Sequence, residues 1–362
     1  MTATSGGIGN VTGSTALVEM AMAYSRSCMV CAAARLGVAD ALAGGGRSVD
    51  DLARDRSAEP ASLYRLLRAL AVFGITSETA PRRFVLTPFG EPLRKDAPNS
   101  VWHAVVFWAD LLADSWSYLT DCVRTGQSAF KVMESRGIAS RWSKDPDAQA
   151  IFRAVMGTAP SEDYMPIAQA WDFTSRRVVA DLGGGGGALI SAILKNDASL
   201  SGMLVDRPLS IEEAAPRIQA DGLAERCKLI AADLLESVPS GADVYAMKHL
   251  LHGCNDDVAI KILKNCRAVI PPEGALLVIE FVLPDVISRP DPQLEGRLIA
   301  DLNMMAVTGG KERSAAEWKP LLAAGGFEMR RIIPAVAKDK FANNVSIVEG
   351  VSIIEAAPDH AG

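Results

Sequence analysis

Five consecutive glycines, Gly183 to Gly187, closely follow Asp181 in the middle of the chain. Residues 178–180 before them predict a short buried strand, and residues 188–195 after them predict a helix. Glycines allow a backbone to pass close to a ligand because no side chain stands in the way. The Asp181 carboxylate could order this loop or reach a bound ligand. The spacing therefore predicts a ligand-binding loop between a strand and a helix.

Two further acids follow the next predicted strands. Asp206 comes after the apolar residues 203–205, and Asp233 comes shortly after residues 228–230. Ligands of parallel sheets bind at the carboxyl ends of the strands. The acid after the second strand can accept two hydrogen bonds from a ribose diol, and Asp233 can supply an adenine-type contact.

The residues at these strand ends do not identify the cofactor by themselves. Gly183, Gly185 and Ala188 also fit a loose GxGxxG/A pattern, so an NAD-dependent oxidoreductase stays open as an alternative. A purely structural turn stays open as well. Three features favour S-adenosylmethionine. They are the position of Asp181, the acids after successive strands, and the two final predicted strands, which follow a helix. The arrangement resembles the class I methyltransferase sheet, whose last strand is antiparallel.

A second group of reactive side chains follows the fourth predicted strand. His249 and His252 lie in the block AMKHLLHGCNDD, Glu280 ends the next strand, and Glu312 belongs to the motif GGKER. A neutral imidazole can take a proton from a phenol, whose pKa is about 10. A carboxylate can fix the imidazole tautomer. A histidine near a strand end is more often structural, so this interpretation depends on the acids nearby. Glu312 could instead pair with Arg313 at the surface.

The first hundred residues predict three helices and a hairpin. Residues 18–42 predict one apolar helix, Ser48 predicts the N-cap of a second, and residues 60–73 predict a third. Residues 84–87 predict a hairpin strand, which completes the outline of a winged helix. This outline could bind DNA, but the net charge of −6 and the apolar first helix favour dimerisation.

The remainder of the chain predicts helices and then an alternation of strands and helices. Residues 101–170 predict a helical segment, and seven apolar strands are expected from position 178 onward. The predicted fold class is α/β, with a C-terminal Rossmann-like sheet and an N-terminal, mostly helical, winged-helix dimerisation domain. The expected divisions are a flexible tail, a dimerisation domain, a helical linker and a cofactor-binding domain, at residues 1–15, 16–100, 101–170 and 171–356.

Several motifs together resemble the plant caffeate-type and animal hydroxyindole-type O-methyltransferases and their bacterial relatives. They are DLGGGGG, LVDRP, KHLLH, KILKNCR, Glu280 and GGKER, and the resemblance covers nearly the whole chain. It implies S-adenosylmethionine as cofactor and a hydroxyl of a small phenolic or indolic molecule as methyl acceptor. It also implies His252 as the general base, flanked by Glu280 and Glu312. The implied cofactor contacts are Gly183, Gly185, Asp206, Asp233, Leu234 and Lys248.

The sequence departs from this family directly after the base. Gly253 and Cys254 stand where the family usually has Asp and Trp, which puts the packing of the adenine in doubt. His249 stands where an apolar residue is usual. Some relatives are hydroxylases that lack the base, and others are iron-dependent C-methyltransferases with additional His or Asp ligands. Both remain alternatives, although the retained His252 makes them weaker.

Aromatic, Met and Asn side chains in the helical segment and near position 303 are candidates for the acceptor pocket. They are Phe107, Trp108, Trp116, Phe152, Met156, Asn303 and Met304. Such residues suggest a flat aromatic ligand, although helix packing is the more common role.

Composition narrows the remaining possibilities. The 362 residues contain six scattered cysteines, and Cys28 and Cys31 form a CxxC on a predicted helix without a second ligand pair. We therefore expect helix packing there and no metal. Neither a signal peptide nor a membrane span is expected, which favours a cytoplasmic protein. The expected partners are a small aromatic substrate and a second copy of the chain, without nucleic acid.

Overall fold

The computed structural model describes residues 13–138, 145–156, 159–341 and 345–359, with the backbone alone for those between 335 and 349. The chain divides into two compact units, Met1–Ala113 and Asp114–Gly362. Within the described ranges no helix is long and apolar enough to cross a membrane.

The first unit has the helices and the hairpin of a winged helix. Its elements are α1 (Gly13–Arg35), α2 (Val38–Leu42), β1 (Arg47–Ser48), α3 (Val49–Asp55), α4 (Pro60–Val72), β2 (Thr76–Ala80), β3 (Arg83–Leu86) and α5 (Trp102–Val106). The Ser48 side chain caps α3 as expected, since its hydroxyl accepts the N–H of Asp51 at 3.1 Å. The three strands form an antiparallel sheet in the order β1-β3-β2.

The helix predicted over residues 18–42 already begins at Gly13, and it is broken at one point. Gly37 has a left-handed φ of +64° and separates α1 from α2. Glycine adopts this conformation at little cost, so the chain turns there although the apolar pattern continues. Cys28 and Cys31 both lie on α1, and Cys31 is buried. Of the predicted flexible tail, residues 1–12 lie outside the described residues, and residues 13–15 belong to α1.

A series of short helices leads into the second unit and continues in it. After one π-helical turn at Phe107–Leu111 come α6 (Ala113–Ser117), α7 (Leu119–Thr125), α8 (Ala129–Ser135), α9 (Pro146–Met156) and α10 (Met165–Ala170). The described part of residues 101–170 agrees with the expected helical segment, of which residues 139–144 and 157–158 lie outside the description.

The second unit is built on a seven-stranded sheet with helices between its strands, so the α/β prediction is confirmed. The strands are β4 (Val178–Leu182), β5 (Ser201–Asp206), β6 (Cys227–Ala231), β7 (Val244–Lys248), β8 (Ala275–Glu280), β11 (Phe327–Phe341) and β12 (Val345–Pro358). Their order is β11-β12-β8-β7-β4-β5-β6. Strands β4 to β8 are mutually parallel, and β12 is antiparallel to both of its neighbours.

Buried apolar side chains cover both faces of this sheet. One cluster includes Ile190 and Ile193 of α11 (Ala188–Asn196), and the other includes Leu263 of α13 (Asp256–Arg267). The remaining elements are α12 (Pro208–Ala220), β9 (Val282–Leu283), α14 (Glu295–Val307), β10 (Arg313–Ser314) and α15 (Ala315–Ala324). Because β4, β5, β7 and β8 are parallel, the residues that follow them meet at one edge of the sheet.

Candidate active site

The glycine loop after β4 takes the shape that its sequence predicts. Gly183 and Gly185 have φ values of +70° and +53°, which side-chain-bearing residues rarely adopt. A Cβ on Gly184 would lie 2.5 Å from Oδ2 of Asp181, so this glycine allows the loop to close over the acid. Asp181 itself is fully buried, and its Oδ2 accepts the N–H of Ile190 at 3.3 Å. The acid therefore joins the end of β4 to the first turn of α11, the two elements on either side of the glycine loop.

The other predicted cofactor residues lie on the same edge of the sheet. Asp206 is half-buried, and its Oδ2 accepts the N–H of Gly185 at 2.8 Å, which joins the ends of β4 and β5. Asp233 is exposed, Leu234 is buried, and the Lys248 ammonium lies 4.8 Å from the centre of the Tyr164 ring.

This edge fits a nucleoside-containing cofactor. A carboxylate oxygen has two lone pairs, so Asp206 can anchor the loop and still accept a ribose hydroxyl. At Gly185 the backbone is open to a ligand, because a Cβ there would meet nothing within 4 Å, whereas a Cβ on Gly183 would lie 2.9 Å from Cδ1 of Leu250.

A histidine–glutamate pair lies next to this edge. Nδ1 of His252 lies 2.7 Å from Oε1 of Glu312, and the Glu312 side chain is completely buried. The N–H of Glu312 is itself bonded to Oδ1 of Asp301 at 2.8 Å. A carboxylate at Nδ1 fixes the tautomer in which Nε2 can accept a proton. The alternative role for Glu312, a surface ion pair with Arg313, is not what the structure has, because Arg313 pairs with Asp256.

Glu280 has a different task from Glu312. Its Oε1 accepts the backbone N–H groups of Leu250, Leu251 and His252 at 3.0, 3.0 and 3.2 Å, and thereby fixes the turn after β7. Its Oε2 lies 3.1 Å from Nδ1 of His249 and 3.6 Å from Nδ1 of His252. Burial alone would raise the pKa of the Glu280 carboxyl, but His252, His249 and the backbone amide of His252 outweigh it and lower that pKa.

The residue pattern assigned no definite role to His249. It has a left-handed φ of +48°, and its ring stacks on His252 with 4.9 Å between the ring centres. Phe281 contacts it from another side at 5.0 Å. Two histidine–carboxylate pairs therefore lie side by side. His249, His252 and Glu280 are also close enough to form a metal-binding set, although each Nδ1 already lies at hydrogen-bonding distance from a carboxylate.

The GGKER motif folds directly against residues 250–254, the turn after β7 that contains His252. The N–H of Lys311 donates to the carbonyl of His252 at 2.9 Å. A Cβ on Gly310 would lie 2.0 Å from that same carbonyl oxygen, so only glycine fits there. The signal for this contact was present in the motif, whereas nothing in the sequence indicated Asp301.

The predicted acceptor residues are only partly brought together. Trp116 donates its indole N–H to Oδ1 of the buried Asn303 at 3.2 Å, and Met304 is the next residue on α14. Phe152 and Met156 lie on α9 and are exposed. The remaining two candidates, Phe107 and Trp108, belong to the first unit, where their rings make an edge-on contact.

Comparison with known proteins identifies the family. The O-methyltransferase domain family matches residues 116–328, and its dimerisation domain matches residues 18–96. The phenazine O-methyltransferase PhzM of Lysobacter antibioticus is 32% identical over 95% of this chain and 96% of its own. The O-methyltransferase SfmM3 of Streptomyces lavendulae is 35% identical over 83% of this chain and 90% of its own.

A solved structure adds ligands to this comparison. NcsB1, an O-methyltransferase from neocarzinostatin biosynthesis, was crystallised with S-adenosylmethionine and 2-hydroxy-5-methyl naphthoic acid. It is 30% identical and superposes with a TM-score of 0.78 over 97% of this chain and 100% of its own. Other similar proteins are named N-methyltransferases. The family assigns S-adenosylmethionine rather than NAD as the cofactor, and the chain belongs to the S-adenosylmethionine-dependent O-methyltransferase family, with that family's dimerisation domain at its N-terminus.

Proposed function

We propose that this enzyme methylates a hydroxyl of a small aromatic molecule, with His252 as the general base. The observation that carries the proposal is the 2.7 Å contact between Nδ1 of His252 and the buried Glu312. A buried carboxylate at Nδ1 makes the opposite nitrogen the proton acceptor and stabilises the imidazolium that forms.

The reaction requires two contributions from the protein, placement of the acceptor and removal of its proton. The sulfonium of S-adenosylmethionine supplies an activated methyl group, so the chain must place the acceptor oxygen in line with it and remove the acceptor's proton. Placement reduces the entropy cost of the encounter. Proton removal by His252 turns a weakly nucleophilic phenol into a phenolate, and such a base contributes about 10²–10⁴-fold.

The cofactor residues are proposed from the shape of the sheet edge. Gly183 and Gly185 open the loop, Asp206 accepts from the ribose, and Asp233 with Leu234 flanks the adenine. Lys248 lies at the end of β7, close to the turn that contains His252. Asp181 supports the glycine loop by accepting the N–H of Ile190, which lies in α11 directly after the loop.

An aromatic acceptor is proposed from the side chains of the second unit and from a relative. Trp116 and Asn303 are joined by a hydrogen bond, which fixes a flat indole surface beside α14. NcsB1 binds a hydroxylated naphthoic acid. Met304, Phe152 and Met156, also in the second unit, are further candidates for contacting this acceptor.

A homodimer is proposed from the first unit. Residues 18–96 match the family's dimerisation domain. The N-terminal half of α1 exposes large apolar side chains, among them Leu17, Met20 and Tyr24, each more than 60% exposed. Contiguous exposed apolar surface of this kind favours a protein partner. Light scattering at micromolar concentration should give the mass of two chains.

The central experiment is His252→Ala, assayed with a panel of phenolic, indolic and arylamine acceptors. Turnover should fall by about 10²–10⁴-fold at neutral pH, with cofactor affinity almost unchanged because His252 is not among its proposed contacts. The loss should shrink at high pH, where a phenol ionises unaided. Full activity of His252→Ala at neutral pH would refute the base. Selective methylation of amines would instead indicate an N-methyltransferase.

A further inference from the structure

A buried arginine lies beneath the turn that contains His252. The Arg313 side chain is only 1% exposed, and its single acidic partner among the described residues, Asp256, is itself half exposed. Burying a guanidinium is costly unless its N–H groups are well paired. Within the part of the chain that is described, three of its five hydrogen bonds go to backbone carbonyls, and two of those carbonyls belong to the turn that contains His252.

The guanidinium bonds the backbone on both sides of the base. Nη1 donates to the carbonyl of Leu251 at 3.1 Å, and Nη2 donates to the carbonyl of Cys254 at 3.1 Å. Nη1 also donates to the carbonyl of Lys311 at 3.2 Å, within its own loop. One rigid group therefore joins the residue before His252, a residue after it and the loop that contains Glu312.

Two further contacts fix the guanidinium itself. Nη2 and Nε both donate to Oδ1 of Asp256, at 2.7 and 3.2 Å. The plane lies over the Trp318 ring, with 5.3 Å to the ring centre. The planar fork of arginine can make all of these bonds at once, whereas the three N–H groups of a lysine cannot.

The geometry points to Arg313 as a positioning residue for the general base. It fixes the separation of the turn and the loop, and thereby the contact between Nδ1 of His252 and Oε1 of Glu312. This inference rests on the proposed function, because it needs His252 to accept the proton. Arg313 acts through that histidine–glutamate pair and does not touch the reacting atoms.

The test is a double-mutant cycle of Arg313→Lys and Glu312→Gln. Arg313→Lys should lower kcat by about 10–100-fold in the wild-type background, with KM and cofactor affinity within about twofold. In the Glu312→Gln background the same substitution should cost less than about threefold, since the carboxylate charge that lets this contact stabilise the imidazolium is already removed. The loss should also shrink at high pH with a phenolic acceptor.

Arg226→Lys is the matched control. Arg226 also donates to several backbone carbonyls, including those of Leu194, Ala198 and Leu200, but at the opposite edge of the sheet from the site. Its substitution should lower the melting temperature and leave kcat unchanged. Equal losses of kcat from Arg313→Lys in both backgrounds, or a loss matched by Arg226→Lys, would overturn the inference.

A second variant covers the case in which Arg313→Lys does not fold. Asp256→Asn removes the ion pair and leaves the three carbonyl bonds of Arg313 in place. We expect a loss of kcat of about two- to fivefold in the wild-type background and no loss in the Glu312→Gln background. A loss of equal size in both backgrounds would contradict the inference. Full activity of His252→Ala would defeat the proposed function instead, whatever the arginine variants show.

Discussion

Replacement of Asp181 by Asn tests the buried acid at the start of the glycine loop. The Asp181 side chain has no exposed surface, and its Oδ1 has no hydrogen-bond partner in the described part of the chain. Burial, partly offset by the amide of Ile190 and reinforced by Asp206, raises the pKa of the Asp181 carboxyl from 3.8 to about 7. The folded protein therefore favours the protonated acid.

The sign of the pH effect follows from this direction. Because the folded-state pKa lies above the unfolded-state value, the penalty is absent below about pH 4 and grows as the pH rises to about 7. With about 1.36 kcal/mol for each pKa unit, the penalty should increase by roughly 2–3 kcal/mol between pH 5 and pH 8. Wild type should lose this much free energy of unfolding relative to Asp181→Asn over that range.

The assay is urea unfolding of the cofactor-free protein, followed by circular dichroism at several pH values. Asp221→Asn is the control. Burial acts to raise the pKa of the Asp221 carboxyl, but the hydrogen bond from Lys195, at 2.7 Å, helps to lower it overall. Its difference from wild type should therefore be constant above pH 5. A constant difference for Asp181→Asn as well would refute the argument from burial.

Three further outcomes can be measured. Gly310→Ala should reduce turnover by at least roughly tenfold, because the new Cβ would collide with the carbonyl of His252. Gly253→Ala should leave turnover unchanged in the same steady-state assay, because a Cβ there would meet open space. His249→Asn should lower kcat by less than about tenfold, because asparagine keeps a hydrogen-bonding group for Glu280 and tolerates the left-handed backbone. A loss of kcat equal to that of His252→Ala would identify His249 as the base. Asp206→Ala should weaken cofactor binding by about 1.5–3 kcal/mol in calorimetry, and unchanged affinity would exclude it as the ribose acceptor.

The sequence predicted the elements that are defined by local pattern. Apolar runs identified the seven strands of the main sheet, and Ser48 identified a helix start, because each signal lies within a few residues of the feature it determines. The break at Gly37 was missed because the apolar pattern runs through it. A single glycine can continue a helix or end it, and packing decides between the two.

The sequence could not predict which of the two glutamates contacts which histidine. Glu280 and Glu312 lie 31 and 60 residues from the histidines that they contact, and both are acids downstream of the same block. Which carboxylate pairs with which imidazole depends on the register of β8 against β7 and on the approach of the GGKER loop. The resemblance supplied the three residues, and the tertiary structure supplies their pairing.

The turn that contains His252 is hydrogen-bonded to distant parts of the chain. The amides of Leu250, Leu251 and His252 are bonded to Glu280 at the end of β8, and the carbonyl of His252 is bonded to Lys311. These amides can exchange with solvent deuterium only when β8 separates from the turn. Their protection should therefore approach that of the central sheet, so the turn that contains His252 opens together with the sheet and not as a mobile surface loop.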